Sequence, residues 1–148
     1  MKKTIAHLAL AAIVTGCSTA GTTQPDRSLK EDLSACLGEV KSSKDLLLVE
    51  APVADNPLSN AIVNGLAGQS RATETLTIAL NNREGRPVLV FGKNEANNAA
   101  LLRAALNSIA GSRKGREVCL AATPDTGDAL RSLAESRGYE LHVTRTGN

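Results

Sequence analysis

The sequence predicts a small three-layer α/β domain with a mostly parallel four-stranded sheet, preceded by an N-terminal helix. Three observations carry this expectation. Short apolar runs of strand length recur at Leu46-Leu47-Leu48-Val49, Val88-Leu89-Val90-Phe91 and Glu117 to Ala121. Uninterrupted runs of this kind suit strands covered on both faces, as in parallel sheets. Between them lie longer stretches with apolar residues every three or four positions, the spacing of one helical face. Strand and helix thus alternate after an opening helix, which is the rhythm of a layered α/β domain.

Each element has a local reason. Ser28-Leu29-Lys30-Glu31 forms a capping box, in which Ser28 and Glu31 satisfy each other's free backbone donors. Leu29, Leu33, Cys36, Leu37 and Val40 follow at helical spacing and turn Cys36 inward. Asp45 to Ala51 is the first strand, expected to be buried on both faces. Asn56-Pro57 reads as an N-cap with proline at the first helical position. Leu58, Ile62, Leu66, Gln69, Thr73, Leu76 and Leu80 then hold a helical stripe, with a break near Gly68. Thr75 to Leu80 also alternates as a strand would; helix is the reading taken.

Arg86-Pro87 leads into the second strand, and Asn94 caps a helix carrying Leu101, Leu102, Ala105 and Ile109 and ending at Gly111. The third strand, Glu117 to Ala121, carries Cys119. Thr123-Pro124 opens a last helix that passes through Leu130, Leu133 and Ala134 and ends near Gly138. Tyr139 to Thr144 alternates as the last strand, at a sheet edge because Glu140 and His142 flank Leu141. That reading puts His142 on the surface.

The N-terminus gives an address. Lys2 and Lys3 precede an apolar run from Ile5 to Val14, which ends in Val14-Thr15-Gly16-Cys17. A basic start, a 7–15-residue apolar core and a small residue before the cut define a secretory signal, and the core is too short to span ~30 Å of hydrocarbon. The Val-Thr-Gly-Cys ending resembles the lipobox of bacterial lipoproteins. The resemblance implies cleavage between Gly16 and Cys17, acylation of Cys17 by fatty chains such as palmitate, and, with Ser18 rather than Asp next, sorting to the outer membrane. An ordinary cysteine beside a normal secretory cleavage site is the competing reading. The chain then divides into a signal peptide (1–16), a lipidated Cys with a flexible tether (17–27) and a single periplasmic domain (28–148). The tether is small and polar with Pro25 inside it, and reaches at most ~35 Å.

Composition narrows the function. The formal charge of the chain is +2, and loss of Lys2 and Lys3 brings it to zero. A neutral chain lacks the basic footprint that nucleic acid needs, and with Phe91 and Tyr139 as the only aromatic residues there is no stacking platform. Once Cys17 carries lipid, two cysteines remain, Cys36 and Cys119. In the oxidising periplasm an even remainder reads as one disulfide, closing a loop that restricts the unfolded chain by up to ~4.5 kcal/mol. Two buried unpaired thiols are the alternative.

Catalytic equipment is sparse. His142 is the single histidine outside the signal segment, and no Gly-x-Ser-x-Gly elbow accompanies it. One histidine and two distant cysteines cannot build a four-ligand structural zinc site of nitrogen and sulfur, so no metal or cofactor is expected. Gly111-Ser112-Arg113-Lys114-Gly115 lacks the Gly-Lys-Ser/Thr ending of a phosphate loop. One candidate crevice remains, at the carboxyl ends of the strands, where open α/β sheets bind ligands. It would gather Glu50, Asp55, Lys93, Asn94, Glu95, Asp125 and Asp128, although Asp and Asn are also what helix caps and turns require. The function expected is therefore non-catalytic: an outer-membrane-anchored lipoprotein acting through protein contacts in envelope assembly, secretion or structure, its partners the membrane and an envelope protein. A small ligand-binding module or enzyme using the crevice is the alternative. An assembly subunit with Val143 or the last strand as its contact edge is a third.

Overall fold

The computed structural model describes residues 29–41, 45–54 and 65–145. The signal segment, Cys17, the tether, Ser28, Asp55, the Asn56-Pro57 cap and the stripe residues Leu58 and Ile62 lie outside the described residues. The elements follow in the order α1 (Leu29–Glu39), β1 (Leu47–Glu50), a 3₁₀ turn (Ala67–Gln69), α2 (Arg71–Leu80), β2 (Val88–Phe91), α3 (Glu95–Ser108), β3 (Arg116–Leu120), α4 (Pro124–Ser136) and β4 (Tyr139–Val143). None of these helices is long and apolar enough to cross a membrane.

The four strands are all parallel and stand in the consecutive order β1-β2-β3-β4. A chain that always steps to the next strand in one direction, with right-handed crossovers, puts every connecting helix on the same face. The core reflects this. Val49, Val88, Val90, Val118, Leu120, Tyr139 and Leu141 point to one side and meet Leu76 and Leu80 of α2, Leu101, Leu102, Ala105 and Leu106 of α3, and Leu130 and Ala134 of α4. Among the described residues the opposite face is covered by α1, through Cys36 and Val40 against Leu89 and Cys119, with Leu33, Leu46 and Phe91 packed around them. The expected three layers are present, with three helices on one side and one on the other.

Several boundaries have visible causes. The stripe that runs toward Leu80 breaks where expected: the 3₁₀ turn at Ala67–Gln69 ends at Ser70, which starts α2 by accepting a hydrogen bond from the Thr73 amide at 3.1 Å. Thr75 to Leu80 is helical, and the threonine content is accommodated by back-bonding, Thr77 Oγ1 donating to the Thr73 carbonyl at 2.7 Å. The C-terminus of α2 is held by Tyr139, whose hydroxyl donates to the Leu80 carbonyl at 2.9 Å. Burial pushes that phenol above its usual range. After α4 the chain reverses at Gly138, φ +81°, where a Cβ would fall 2.2 Å from the Arg113 carbonyl oxygen, so only glycine fits.

Four expectations need correction. β1 is not buried on both faces: Leu48 is 47% exposed and Glu50 is exposed, because β1 is an edge strand and α1 packs over the middle of the sheet. β4 is an edge strand as expected, yet His142 does not face solvent. Its side chain keeps only 11% exposure, with Nε2 beside Glu117 of the neighbouring strand. Val143 is not an outward contact residue, since it packs against Gly127 of α4 so closely that a Cβ there would lie 2.2 Å from Val143 Cγ1. Finally, α3 ends at Ser108 rather than Gly111, because Ile109 turns extended to enter the core.

Cys36 and Cys119 form a disulfide that fastens α1 to β3. The two residues are 83 positions apart, so cutting the bond releases a long loop in the unfolded chain. Reduction, or Cys119→Ser, is expected to cost about 2–5 kcal/mol. Urea unfolding with and without reductant measures it directly, and a midpoint indifferent to reductant would refute the assignment.

Candidate functional site

In a parallel sheet all strands end on the same side, and the carbonyls just beyond the ladder need partners. Here those partners are side chains. Asn97 Nδ2 donates to Pro52 O beyond β1 at 2.8 Å. Asn98 Nδ2 donates to Gly92 O beyond β2 at 3.2 Å and to Ala121 O beyond β3 at 2.8 Å. Arg145, just past β4, donates to the same Gly92 carbonyl at 2.8 Å and pairs with Asp32 of α1 at 3.2 Å. Asp32, only 2% exposed, also accepts from the Thr144 hydroxyl at 2.6 Å. Both asparagines belong to the first turn of α3, which begins at Asn94, so the strand ends are tied together by one helix start and one buried ion pair.

The residues expected to form the strand-end crevice are therefore divided. Glu50 and Lys93 line one depression with Ala51, Pro52, Val53 and Ala72, about 340 Å³ in volume. Asn94 is a cap: its Oδ1 accepts from the amides of Ala96 and Asn97 at 2.9 and 3.1 Å. Glu95 braces the next helix, accepting from the Thr123 amide at 3.0 Å and from the Thr126 hydroxyl at 3.2 Å. The Thr123 side chain itself makes no capping bond to α4. Asp128 pairs with Arg131 at 3.1 Å, and Asp125 is exposed in the first turn of α4. Neither aspartate lines the depression that holds Glu50 and Lys93. Asp55 lies outside the described residues.

A second cluster was not anticipated. Strand alternation sends Glu117 and Cys119 of β3, and Glu140 and His142 of β4, to the face that α1 covers. Register sets Glu117 directly opposite Glu140, and Cys119 opposite His142. One ligand atom from each of Glu117, Glu140 and His142 lies within 4.8 Å of the others. His142 Nε2 is 3.4 Å from Glu117 Oε1. That nitrogen is buried and makes no hydrogen bond. Lys41, just beyond α1, serves both carboxylates: its amide donates to Glu117 at 3.1 and 3.3 Å, and its ammonium meets Glu140 Oε2 at 2.6 Å. The hydrogen bond from Lys41 holds the Glu140 carboxyl below its usual range, and the same contact raises the Lys41 ammonium. The alternating pattern of Glu117-x-Cys119 and Glu140-x-His142 was the available signal; the register that joins them is not written in either segment.

Comparison with known proteins finds no matching family model, no matching curated protein and no matching solved structure. The chemistry of the two clusters stands on its own geometry. The strand-end cluster spends its donors on the fold, whereas the β3–β4 cluster brings one potential ligand atom from each of two carboxylates and an imidazole within 4.8 Å of one another.

Two measurements follow from these placements. Asn98→Ala leaves the Ala121 carbonyl without its side-chain donor, while Gly92 keeps Arg145, and it is expected to destabilise the domain by about 2–4 kcal/mol, read from denaturant unfolding. Lys41→Met is expected to bring the Glu140 carboxyl back up toward 4.5, followed by carbon-detected NMR titration. An unchanged Glu140 titration would exclude the lysine as its cause.

Proposed function

We propose that this chain is an exported lipoprotein of the bacterial outer membrane whose α/β domain acts in the periplasm by contacting protein partners, without catalysis. The observation that carries the reading is the disulfide between Cys36 and Cys119. Such bonds persist in oxidising compartments and are rare in the cytosol, which agrees with the basic start, the short apolar core and the lipobox-like Val14-Thr15-Gly16-Cys17. The acyl chains give the domain a physical advantage. One chain holds a protein to a bilayer only marginally, several hold it stably, and confinement at the surface raises its effective concentration toward partners embedded there. The α1 side of the sheet supports the contact role, because a single helix leaves Leu48 and Glu50 of the β1 edge exposed. A small-ligand role is the second reading, and the shared depression of Glu50 and Lys93 is what favours it.

Cells fed an alkyne-bearing fatty acid are expected to label the wild-type chain and to leave Cys17→Ser unlabelled and released from the membrane fraction. A photoreactive residue at Leu48 is expected to trap one specific envelope protein in whole cells. An unlabelled wild type would overturn the anchor, and the absence of any specific adduct would count against the contact role.

A further inference from the structure

We propose that Glu117, Glu140 and His142 form a binding site for a divalent cation of the zinc class, at the β3–β4 margin of the face shared with α1. The argument begins with the register. Two carboxylates directly opposite one another across a strand pair repel, and Glu117, with its side chain only 10% exposed, is poorly placed to shed charge into water. The pair requires positive charge beside it. Lys41 supplies one ammonium, on an arm that is 75% exposed and reaches only Glu140. Nothing donates to or accepts from the buried His142 Nε2, so this ring nitrogen is left facing Glu117 without a hydrogen bond.

The distances suit a metal better than a hydrogen bond. Nε2 and Glu117 Oε1 are 3.4 Å apart without hydrogen-bond alignment. In a tetrahedral site with arms of about 2.0–2.2 Å, adjacent ligand atoms are about 3.3–3.6 Å apart. Two corners of that tetrahedron are thus already placed. Glu140, half-exposed and on the same face, closes the third by releasing Lys41 and rotating inward from within the 4.8 Å spread. Water takes the fourth position from the open side. The donor set selects the ion: an imidazole nitrogen with two carboxylates suits zinc and its neighbours, whereas calcium takes six to eight oxygens and magnesium an octahedron of them. The surroundings are also those of a supported site. The Lys41 amide fixes the Glu117 carboxylate from behind, as outer partners orient metal ligands generally, and the disulfide at Cys119 holds α1 in the position that makes this contact.

This inference is independent of the lipid anchor. Its test is calorimetric titration of the full, untagged chain in detergent with zinc chloride, disulfide intact and prior metal removed by chelator. One ion per chain is expected. His142→Ala should lower affinity at least about 100-fold and Glu140→Gln about 10-fold. Lys41→Met should tighten binding, because the competing ammonium is gone while the backbone amide remains; a purely structural ion-pair cluster does not predict that gain. Melting curves establish that each variant is folded, and should His142→Ala fail to fold, the half-exposed Glu140→Gln decides alone. No saturable binding, binding unchanged in Glu140→Gln, or binding lost in Cys17→Ser instead would overturn the site.

Discussion

The attachment of α1 is the constraint on which the sheet's second face depends. An isolated helix of 11 residues is marginal in water, and the apolar cluster beneath this one is small: Cys36, Val40, Leu89 and Cys119, with three partly buried neighbours. Three specific pins make up the difference. Near its start Asp32 meets Thr144 and Arg145, at its middle Cys36 is bonded to Cys119, and just past its end Lys41 reaches Glu117 and Glu140. Their order shows that α1 runs antiparallel to the strands, from the carboxyl end of β4 back toward the starts of β3 and β4. The lengths agree. Seven helical steps from Asp32 to Glu39 rise about 10 Å with two further residues to Lys41, and four strand steps from Glu140 to Thr144 cover about 13 Å.

The strand order explains why one helix has to do so much. Because β1 to β4 follow consecutively, α2, α3 and α4 share one face and bury it thoroughly, and among the described residues only α1 packs on the other. The same order has a consequence for binding. Doubly wound sheets open a crevice where the strand order reverses and adjacent crossovers diverge to opposite faces. A consecutive order contains no reversal. Here the carboxyl ends are instead joined by Asn97, Asn98 and Arg145, and the first turn of α3 is spent on capping and stapling. The proposed cation site accordingly lies not at the strand ends but at the margin of the α1 face.

Much of the fold was legible because its causes are local. The four strands, the helix starts at Asn94 and Pro124, the break before Ser70 and the turn at Gly138 each follow from periodicity, caps or glycine within a few residues. The cysteine pairing was legible from count and compartment. What escaped depends on neighbours distant in sequence. Leu46 to Val49 is as apolar as Val88 to Phe91, yet one run forms an edge and the other lies inside, and only the strand order separates them. Asp32 gave no sign of being buried, since its partners lie more than a hundred positions away. Asn98 carried no signal in the sequence, yet it is fully enclosed and joins two strands. Glu117 opens an apolar strand and Glu140 and His142 flank Leu141 on another, and it took parallel register to make them one cluster.

The three pins on α1 also answer to different conditions, which bears on what the face can do. Glu140 has its carboxyl lowered by Lys41, so its contribution is present above the ordinary carboxylate range and fades as pH falls through the lower folded value. Lys41 is raised by the same contact, so its contribution is present below the ordinary lysine range and fades as pH rises through the higher folded value. Between these limits the pair is constant in pH, but both side chains stand in water and salt screens them. The Cys36–Cys119 bond is indifferent to salt, and the Asp32–Arg145 pair is sheltered from it by burial. At raised salt the side-chain contact of Lys41 is thus the weakest part of the three pins, while its backbone amide still holds Glu117. In the proposed cation site Glu140 gives up that ammonium while the amide, the disulfide and the buried pair keep the helix in place.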